Sequence, residues 1–427
     1  MNIVISLFSP VVKQESDSKG VLCFYEGVIN SLSKLGNRVF VHITSDFNIE
    51  NSEIPETLLR EIEDFNPDLF ILFNNTFYEI PSRFTCPIVI WEVDSPAYYS
   101  NKEVIRKSPS RYKFIVCQEE SIAELKEYYG VDKKNVLLCP FFTEVQAEKM
   151  ENATNIVFIG SFFGGNSINP FADFWKTNPS QDDVLAYKRL LSVYAQNPHL
   201  NIEELVSRAG NIPESVLQSV HLVKWETSLS AFNRVKTLSA VADLGITIYG
   251  TRTWAVGNYL EPWLTLSYNP RLLYTLKHNQ DAYNSAKIGI NINHLQARSG
   301  FSWRVCDIMA SNACLVSEYR PNFDKYFADI GLPYFDNPYD ARTICKQLLT
   351  DENYRLDLVR ASQQVIDKNF RFANVQCLLE QFLDMSFISP STEGQEGEVI
   401  YRIGGKLSFL KRLKKKIKKY SKKLKHS

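Results

Sequence analysis

The sequence predicts a two-domain α/β protein, each half a parallel sheet with helices on both faces, and three observations carry that prediction. Short apolar runs of strand length alternate with helical periodicity from Ile3 to Leu138. The alternation restarts at Asn155–Ile159, after an irregular stretch over 140–153 that marks a domain boundary. A strand–loop–helix–strand unit then runs from Ala286 to Glu318, the arrangement by which such folds aim backbone N–H groups at an anion. The expected organisation is a first Rossmann-like domain over 1–150 and a second over 151–388 with a helical insertion at 170–241. A linker and basic tail follow over 389–427.

Composition agrees. The chain has 427 residues, enough for two ordinary domains, and its 44% hydrophobic content with 27 Phe and 21 Tyr supports large cores. The N-terminus MNIVISLFSP lacks the basic region of a secretory signal, and no apolar run approaches the roughly 18 residues a membrane span needs. Eight cysteines lie scattered without metal-ligand spacing, so buried thiols in a cytoplasmic protein are expected, with neither zinc nor disulfides. Formal charge is zero but uneven. Residues 406–427 hold eleven Lys and Arg and no acid, leaving 37 basic against 48 acidic residues elsewhere.

In order, Ile3–Ile5 reads as a buried strand and Val21–Leu35 as a helix ended by Gly36-Asn37. Strands follow at Arg38–Ile43, Leu69–Phe73, Ile88–Val93, Phe114–Cys117 and Val136–Leu138, with helices at Leu58–Asp64 and Ser121–Tyr129. Ligands of such sheets sit beyond the carboxyl ends of the strands. Three places qualify here: Asp17, Lys19 and Gly20 after the first strand, Asn74–Thr76 after the third, and Glu92 with Asp94 after the fourth. Asp94-Ser95-Pro96 also reads as a helix start, so Asp94 is either a cap or a catalytic or acceptor-binding carboxylate.

In the second half, strand Asn155–Ile159 runs into Gly160-Ser161, which is either a plain turn or a phosphate-facing one. Leu-, Ala- and Tyr-rich helical text fills 170–241. A helix over Ala231–Leu244 and a strand at Ile246–Tyr249 then lead to Gly250-Thr251-Arg252. Past Ile288–Ile292 comes the polar turn Asn293 to Gly300, with His294 either a hydrogen-bonded structural group or a ligand contact. Gly300 permits close approach, Arg298 offers a phosphate-binding guanidinium, and Ser299 or Ser302 would cap the helix that begins near Ser302. Asp307 lies about one and a half turns into that helix. Three helices are expected at Tyr339–Leu349, Glu352–Asp367 and Phe372–Met385.

The run YNSAKIGININ…SGFSWRVCDIMASNACLVSEYRPNFDKYF resembles the C-terminal domain of the CgeB-like, spore-maturation type glycosyltransferases, closely over 283–327 and loosely over 233–381. That resemblance implies the GT-B fold, two Rossmann-like domains facing across a cleft, and a nucleotide-sugar donor in the second domain. By position it places Ser299, Gly300 and Phe301 on the donor phosphates and Asp307 on the ribose hydroxyls. It sets the Gly160-Ser161 turn against the phosphates, Arg252 along the path of base and pyrophosphate, and His294 near the donor. Retaining members of the related large family carry two glutamates eight positions apart, and Ser299 stands where the first would be. The basic residue that often follows the first glycine turn is also missing, which leaves phosphate charge to Arg298, Arg304 or Arg252.

The tail repeats Leu407, Leu410, Leu413, Ile417, Tyr420 and Leu424 at three and four residues with lysines between, a basic amphipathic helix suited to an anionic membrane rather than to nucleic acid. The expectation is therefore a cytoplasmic glycosyltransferase, peripheral at the inner face of the cell membrane. It would pass a sugar to a glycan or lipid-linked acceptor and use no cofactor or metal beyond the nucleotide-sugar co-substrate. If the reaction inverts, Asp94 and then Asp17 are the candidate bases; retention needs none. The alternative is a catalytically inactive GT-B-like glycan-binding or assembly partner at the membrane.

Overall fold

The computed structural model describes residues 1–9, 21–44, 53–162, 174–197, 200, 202–219, 222–259, 261–388 and 395–404. In the first half the strands are β1 (Asn2–Phe8), β2 (Arg38–Thr44), β3 (Leu69–Phe73), β4 (Ile88–Trp91), β5 (Tyr112–Val116) and β6 (Val136–Leu138). In the second they are β7 (Thr154–Ile159), β8 (Ile246–Tyr249), β9 (Tyr268–Asn269), β10 (Ala286–Asn291), β11 (Cys314–Glu318) and β12 (Tyr334–Phe335), and β13 (Val399–Gly404) follows near the C-terminus. Among the described residues they form two sheets, ordered β13-β2-β1-β3-β4-β5-β6 and β12-β11-β10-β7-β8-β9, with every pairing parallel. Strands β3 and β4 are buried at every position, which is why they read as continuous apolar runs rather than alternating ones.

Each order reverses once. Sheet one turns between β1 and β3, and sheet two between β7 and β10. Loops leaving two adjacent strands in opposite directions open a crevice at those switch points. In sheet two the crevice is bounded by Gly160-Ser161 after β7 and by Ile292-Asn293 after β10.

One apolar core runs continuously across both halves. It joins Ile3, Ile5, Phe24 and Val28 of the first domain to Phe301, Val305 and Ile308 of the second, and to Phe372, Val375 and Leu379 near the C-terminus. Helix Phe372–Leu383 packs back on the first domain, where Lys113 Nζ donates to Phe382 O and Asn37 Nδ2 donates to Phe387 O at 2.8 Å. Helices Gln181–Gln196, Ile202–Ala209, Glu214–Ser219 and Leu222–Ala240 occupy the stretch between β7 and β8, and a core of their own includes Tyr187, Leu190 and Leu205.

Strand β13 corrects the reading of 389–427 as linker and tail alone. It pairs with β2 from Val399↔Val39 to Gly404↔Thr44 and extends sheet one by an edge. Side chains pin it as well, with Arg402 Nε 2.6 Å from Glu61 and Arg38 3.2 Å from Glu398. VIYRIG is apolar enough for a strand, but its partner lies some 360 residues earlier in the chain, and local periodicity carries no such information. The tail proper, 406–427, lies outside the described residues. No helix among the described residues is long and apolar enough to cross a membrane.

Candidate functional site

The switch-point crevice of sheet two gathers polar groups from four elements. Arg304, on helix Trp303–Ala310, donates from Nε to Ile159 O at 2.6 Å and from Nη1 to Asn291 Oδ1 at 2.9 Å, tying the ends of β7 and β10. Ser302 precedes the helix but does not cap it; its hydroxyl donates to Asn291 Oδ1 at 3.1 Å. The first turn therefore has no side-chain cap, and Ser302 sets its start beside Asn291 at the end of β10. Arg234 of helix Leu222–Ala240 donates to Ser161 O and, at 3.1 Å, to Ile292 O. Gly160 O accepts from the Trp254 indole at 2.8 Å, which fixes the turn after β7.

Asp307 lies deeper on the same helix and is 2% exposed. Thr143 Oγ1 donates to Oδ1 at 2.6 Å, and Cys23 Sγ lies 3.5 Å from Oδ2, so both partners come from the first-domain side. Burial pushes its carboxyl up to about 6, against the lowering effect of those two donors and of Arg304 and Arg371. Above it, Trp303 stacks on Phe24 with ring centres 5.8 Å apart.

A seam between the domains holds most of the other candidates. Asp94 Oδ2 accepts from Asn74 Nδ2 at 2.7 Å and Oδ1 from Gln296 Nε2 at 2.6 Å, while Gln296 Oε1 accepts from Ser95 N at 3.1 Å. Ser95, not Asp94, caps the short turn Pro96–Tyr98 through Ala97 N. Gln118 answers from the first domain, accepting from Arg298 N at 2.9 Å and donating to Gln296 O at 3.1 Å. The Arg298 guanidinium lies 3.1 Å from Glu124 and 3.0 Å from Glu203, and Ser299 Oγ donates to Glu120. Gly300 is buried in the seam, where a Cβ would fall 3.0 Å from Gln118 Cβ and 3.3 Å from Cys117 O. The sequence predicts close approach to a ligand at this glycine; in this structure its close approach is to Gln118 and Cys117 of the first domain. Phe301 is 3% exposed and stacks on Phe323 at 5.6 Å within the shared core.

The seam encloses a cavity of about 60 Å³ lined by Glu92, Ser95, Gln118, His294, Gln296 and Ser302, among others. Glu92 accepts from Ser121 at 2.6 Å and from Cys117 N at 3.2 Å, and burial raises its carboxyl to about 8. His294 Nδ1 accepts from Gln296 N at 3.2 Å; burial and the Arg234 charge lower its pKa to about 3, so the ring is neutral. Burial likewise raises Asp94, against its two amide donors.

The structure thus brings Gly160, Ser161 and Arg304 together at the crevice and Asp94, His294, Arg298, Ser299 and Gly300 together at the seam. Arg252 is exposed at the start of the short helix Arg252–Tyr259, whose Trp254 holds the Gly160 turn, and among the described residues it has no bond to the crevice groups above. Asp17, Lys19 and Gly20, and Gly164–Asn166 of the glycine turn, lie outside the described residues. Sequence reasoning missed Arg234, Gln118 and Gln296. Arg234 was hidden in a long helical stretch, and glutamines carry no motif.

Residues 233–384 match the family model described as glycosyl transferase-like. No curated protein matches the chain. Among solved structures, sucrose-phosphate synthase from Thermosynechococcus elongatus is similar over 90% of this chain and 98% of its own, at 9% identity and a TM-score of 0.51. Anabaena Alr3699/HepE, solved with UDP and glucose, is similar over 90% and 99% at 11% identity and a TM-score of 0.50. The chain has the GT-B fold. At these identities the likeness is one of architecture, two Rossmann-like domains built on parallel sheets.

Proposed function

We propose that this protein is a metal-independent GT-B glycosyltransferase, related to the CgeB-like type, that moves a sugar from a nucleoside-diphosphate sugar to a hydroxyl of a cell-surface glycan or its lipid-linked precursor. One observation carries the reading: the uncapped start of helix Trp303–Ala310, Arg304 and the Gly160-Ser161 turn converge where sheet two reverses, with Asp307 on the same helix. Helix N–H groups and a guanidinium stabilise a leaving diphosphate without a metal. UDP, present in the Anabaena structure, is the first donor nucleotide to try.

A cavity of about 60 Å³ is far smaller than a nucleotide-sugar, so the seam parts to admit the donor. Parting frees Asp94 from Gln296 and Arg298 from Glu124. If the reaction inverts, the released Asp94 accepts the proton of the acceptor hydroxyl. If it retains the anomeric configuration, Asp94 positions the acceptor instead. The basic tail would hold the enzyme on the anionic inner face of the membrane, beside a lipid-linked acceptor.

The same closed seam favours a second reading, a catalytically inactive partner, because Arg298 and Ser299 are both engaged by first-domain carboxylates. A nucleotide-sugar hydrolysis panel decides between them. Turnover of at least one donor, lost in Asp307→Ala and in Asp307→Asn, supports the enzyme. Absence of both binding and turnover across uridine, guanosine, adenosine, cytidine and thymidine diphosphate sugars sinks it.

A further inference from the structure

We propose that Arg234, on helix Leu222–Ala240, is a second positive charge for the donor diphosphate, working beneath Arg304 at the switch point of sheet two. This rests on the nucleotide-sugar reading above. The two guanidiniums come from different helices and converge on one ring, their central carbons 5.5 Å and 5.4 Å from the centre of Phe158. They also tie the same pair of strand ends. Arg304 binds Ile159 O and Asn291 Oδ1, and Arg234 binds Ser161 O and Ile292 O.

Two like charges gathered around one aromatic side chain repel, and a poorly hydrated setting strengthens the repulsion. Burial, and then the neighbouring Arg304 charge, lower the proton affinity of Arg234, and the buried Glu318 carboxylate offsets this only in part. An anion at the ends of β7 and β10 attracts both guanidiniums at once and offsets that repulsion. A diphosphate suits the position because it carries more than one charge and its place, at the reversal of strand order, is where open α/β sheets bind ligands.

Gly160, Ser161 and Phe162, which follow β7, supply no cation, and the sequence on to Asn166 contains neither Lys nor Arg. Arg304 and Ser161 are partly exposed, whereas Arg234 is 2% exposed. Arg304 therefore meets the phosphate directly. Arg234 is a positioning residue that acts through its field and by holding the Ser161 carbonyl.

The test compares UDP with uridine, which share a base and ribose and differ in charge. Both are titrated calorimetrically into the full chain and into Arg234→Gln and Arg234→Lys, with folding checked by circular dichroism. Arg234→Gln is expected to weaken UDP by about tenfold and uridine by less than about twofold, and Arg234→Lys to recover most of the UDP affinity. Equal loss for both ligands, or unchanged UDP binding, overturns the proposal. Should the Gln variant not fold, Arg304→Gln decides: with Arg234 still charged, inorganic pyrophosphate goes on displacing UDP, and loss of all competition overturns the proposal. A wild-type chain that binds no nucleoside diphosphate overturns the nucleotide-sugar reading itself, and this inference with it. Wild-type binding that ignores Arg234 overturns the inference alone.

Discussion

Gln296 and Asp94 face each other across the interdomain seam, the amide nitrogen of one 2.6 Å from a carboxylate oxygen of the other. Gln296 also accepts from Ser95 N, so a single side chain from the second domain reads two consecutive residues of the first. Gln118 makes the reciprocal pair of bonds in the opposite direction. With the Arg298–Glu124 pair and the Ser299–Glu120 bond, the two amides join the domains around a cavity of about 60 Å³, and the proposed donor requires them to part.

Gln296→Ala therefore shifts the population toward the open form. Removing two hydrogen bonds, one to a charged group, costs the closed state about 2–4 kcal/mol, part of which the remaining seam contacts absorb. The expected outcome is nucleotide affinity raised about threefold to tenfold, with a larger radius of gyration by small-angle scattering in the absence of nucleotide. Unchanged affinity together with an unchanged radius would mean that the seam is not the barrier.

The sheets were legible in the sequence because their strands are buried on both faces and bounded by turn residues, as at Leu69–Phe73 and Ile288–Ile292. The candidate site was legible only in part. Gly160 and Arg304 lie on the very elements whose order defines the crevice. The destination of Arg298 could not be read, because Glu124 and Glu203 lie 174 and 95 residues away in the chain and no local pattern pairs them. Phe301 shows the same limit, since a position in a loop does not say whether a ring turns to a ligand or to Phe323.

Arg298 tests which of its two carboxylates matters. Glu124 is nearly buried, with 8% of its side chain exposed, whereas Glu203 is 58% exposed. Arg298→Ala strands the buried Glu124 charge and is expected to cost about 3 kcal/mol. Glu203→Ala removes a solvent-screened partner and should cost under about 1 kcal/mol. Urea unfolding of the two variants gives the comparison, and equal losses would contradict it.

Asp307 gives a pH signature. Its folded pKa, about 6, exceeds the ordinary 3.8, so between those values the folded state holds a proton that the unfolded state has released. Stability from this group is therefore present below about pH 4 and is lost as pH rises through 6. At pH 7 the charged form costs the fold on the order of 3 kcal/mol. Asp307→Asn keeps an acceptor for Thr143 and removes the charge. Its midpoint temperature should exceed that of the wild type at pH 7 and converge on it near pH 4, whatever happens to activity. A gap that widens toward acid would reverse the assignment.

The C-terminal edge separates folding from membrane attachment. Truncation after Gly404 removes all eleven basic residues of 406–427 and leaves β13 in place, so the product should fold normally but no longer sediment with phosphatidylglycerol vesicles. Truncation after Gln395 also strips the strand and bares the β2 edge, from Val39 to Thr44, which should promote association or aggregation. Gly397→Ala probes the same junction inside the intact chain. Gly397 N donates to Ser33 O at 2.8 Å, its carbonyl accepts from Ser33 Oγ at 2.7 Å, and an added Cβ would fall 1.9 Å from Asn37 O. The backbone must give way there, so β13 should detach. Amide exchange over 399–404 should then rise to the rate of an unpaired segment, while vesicle binding persists because the tail itself is untouched. Continued protection of 399–404 in that variant would show that the strand is held from elsewhere along its length.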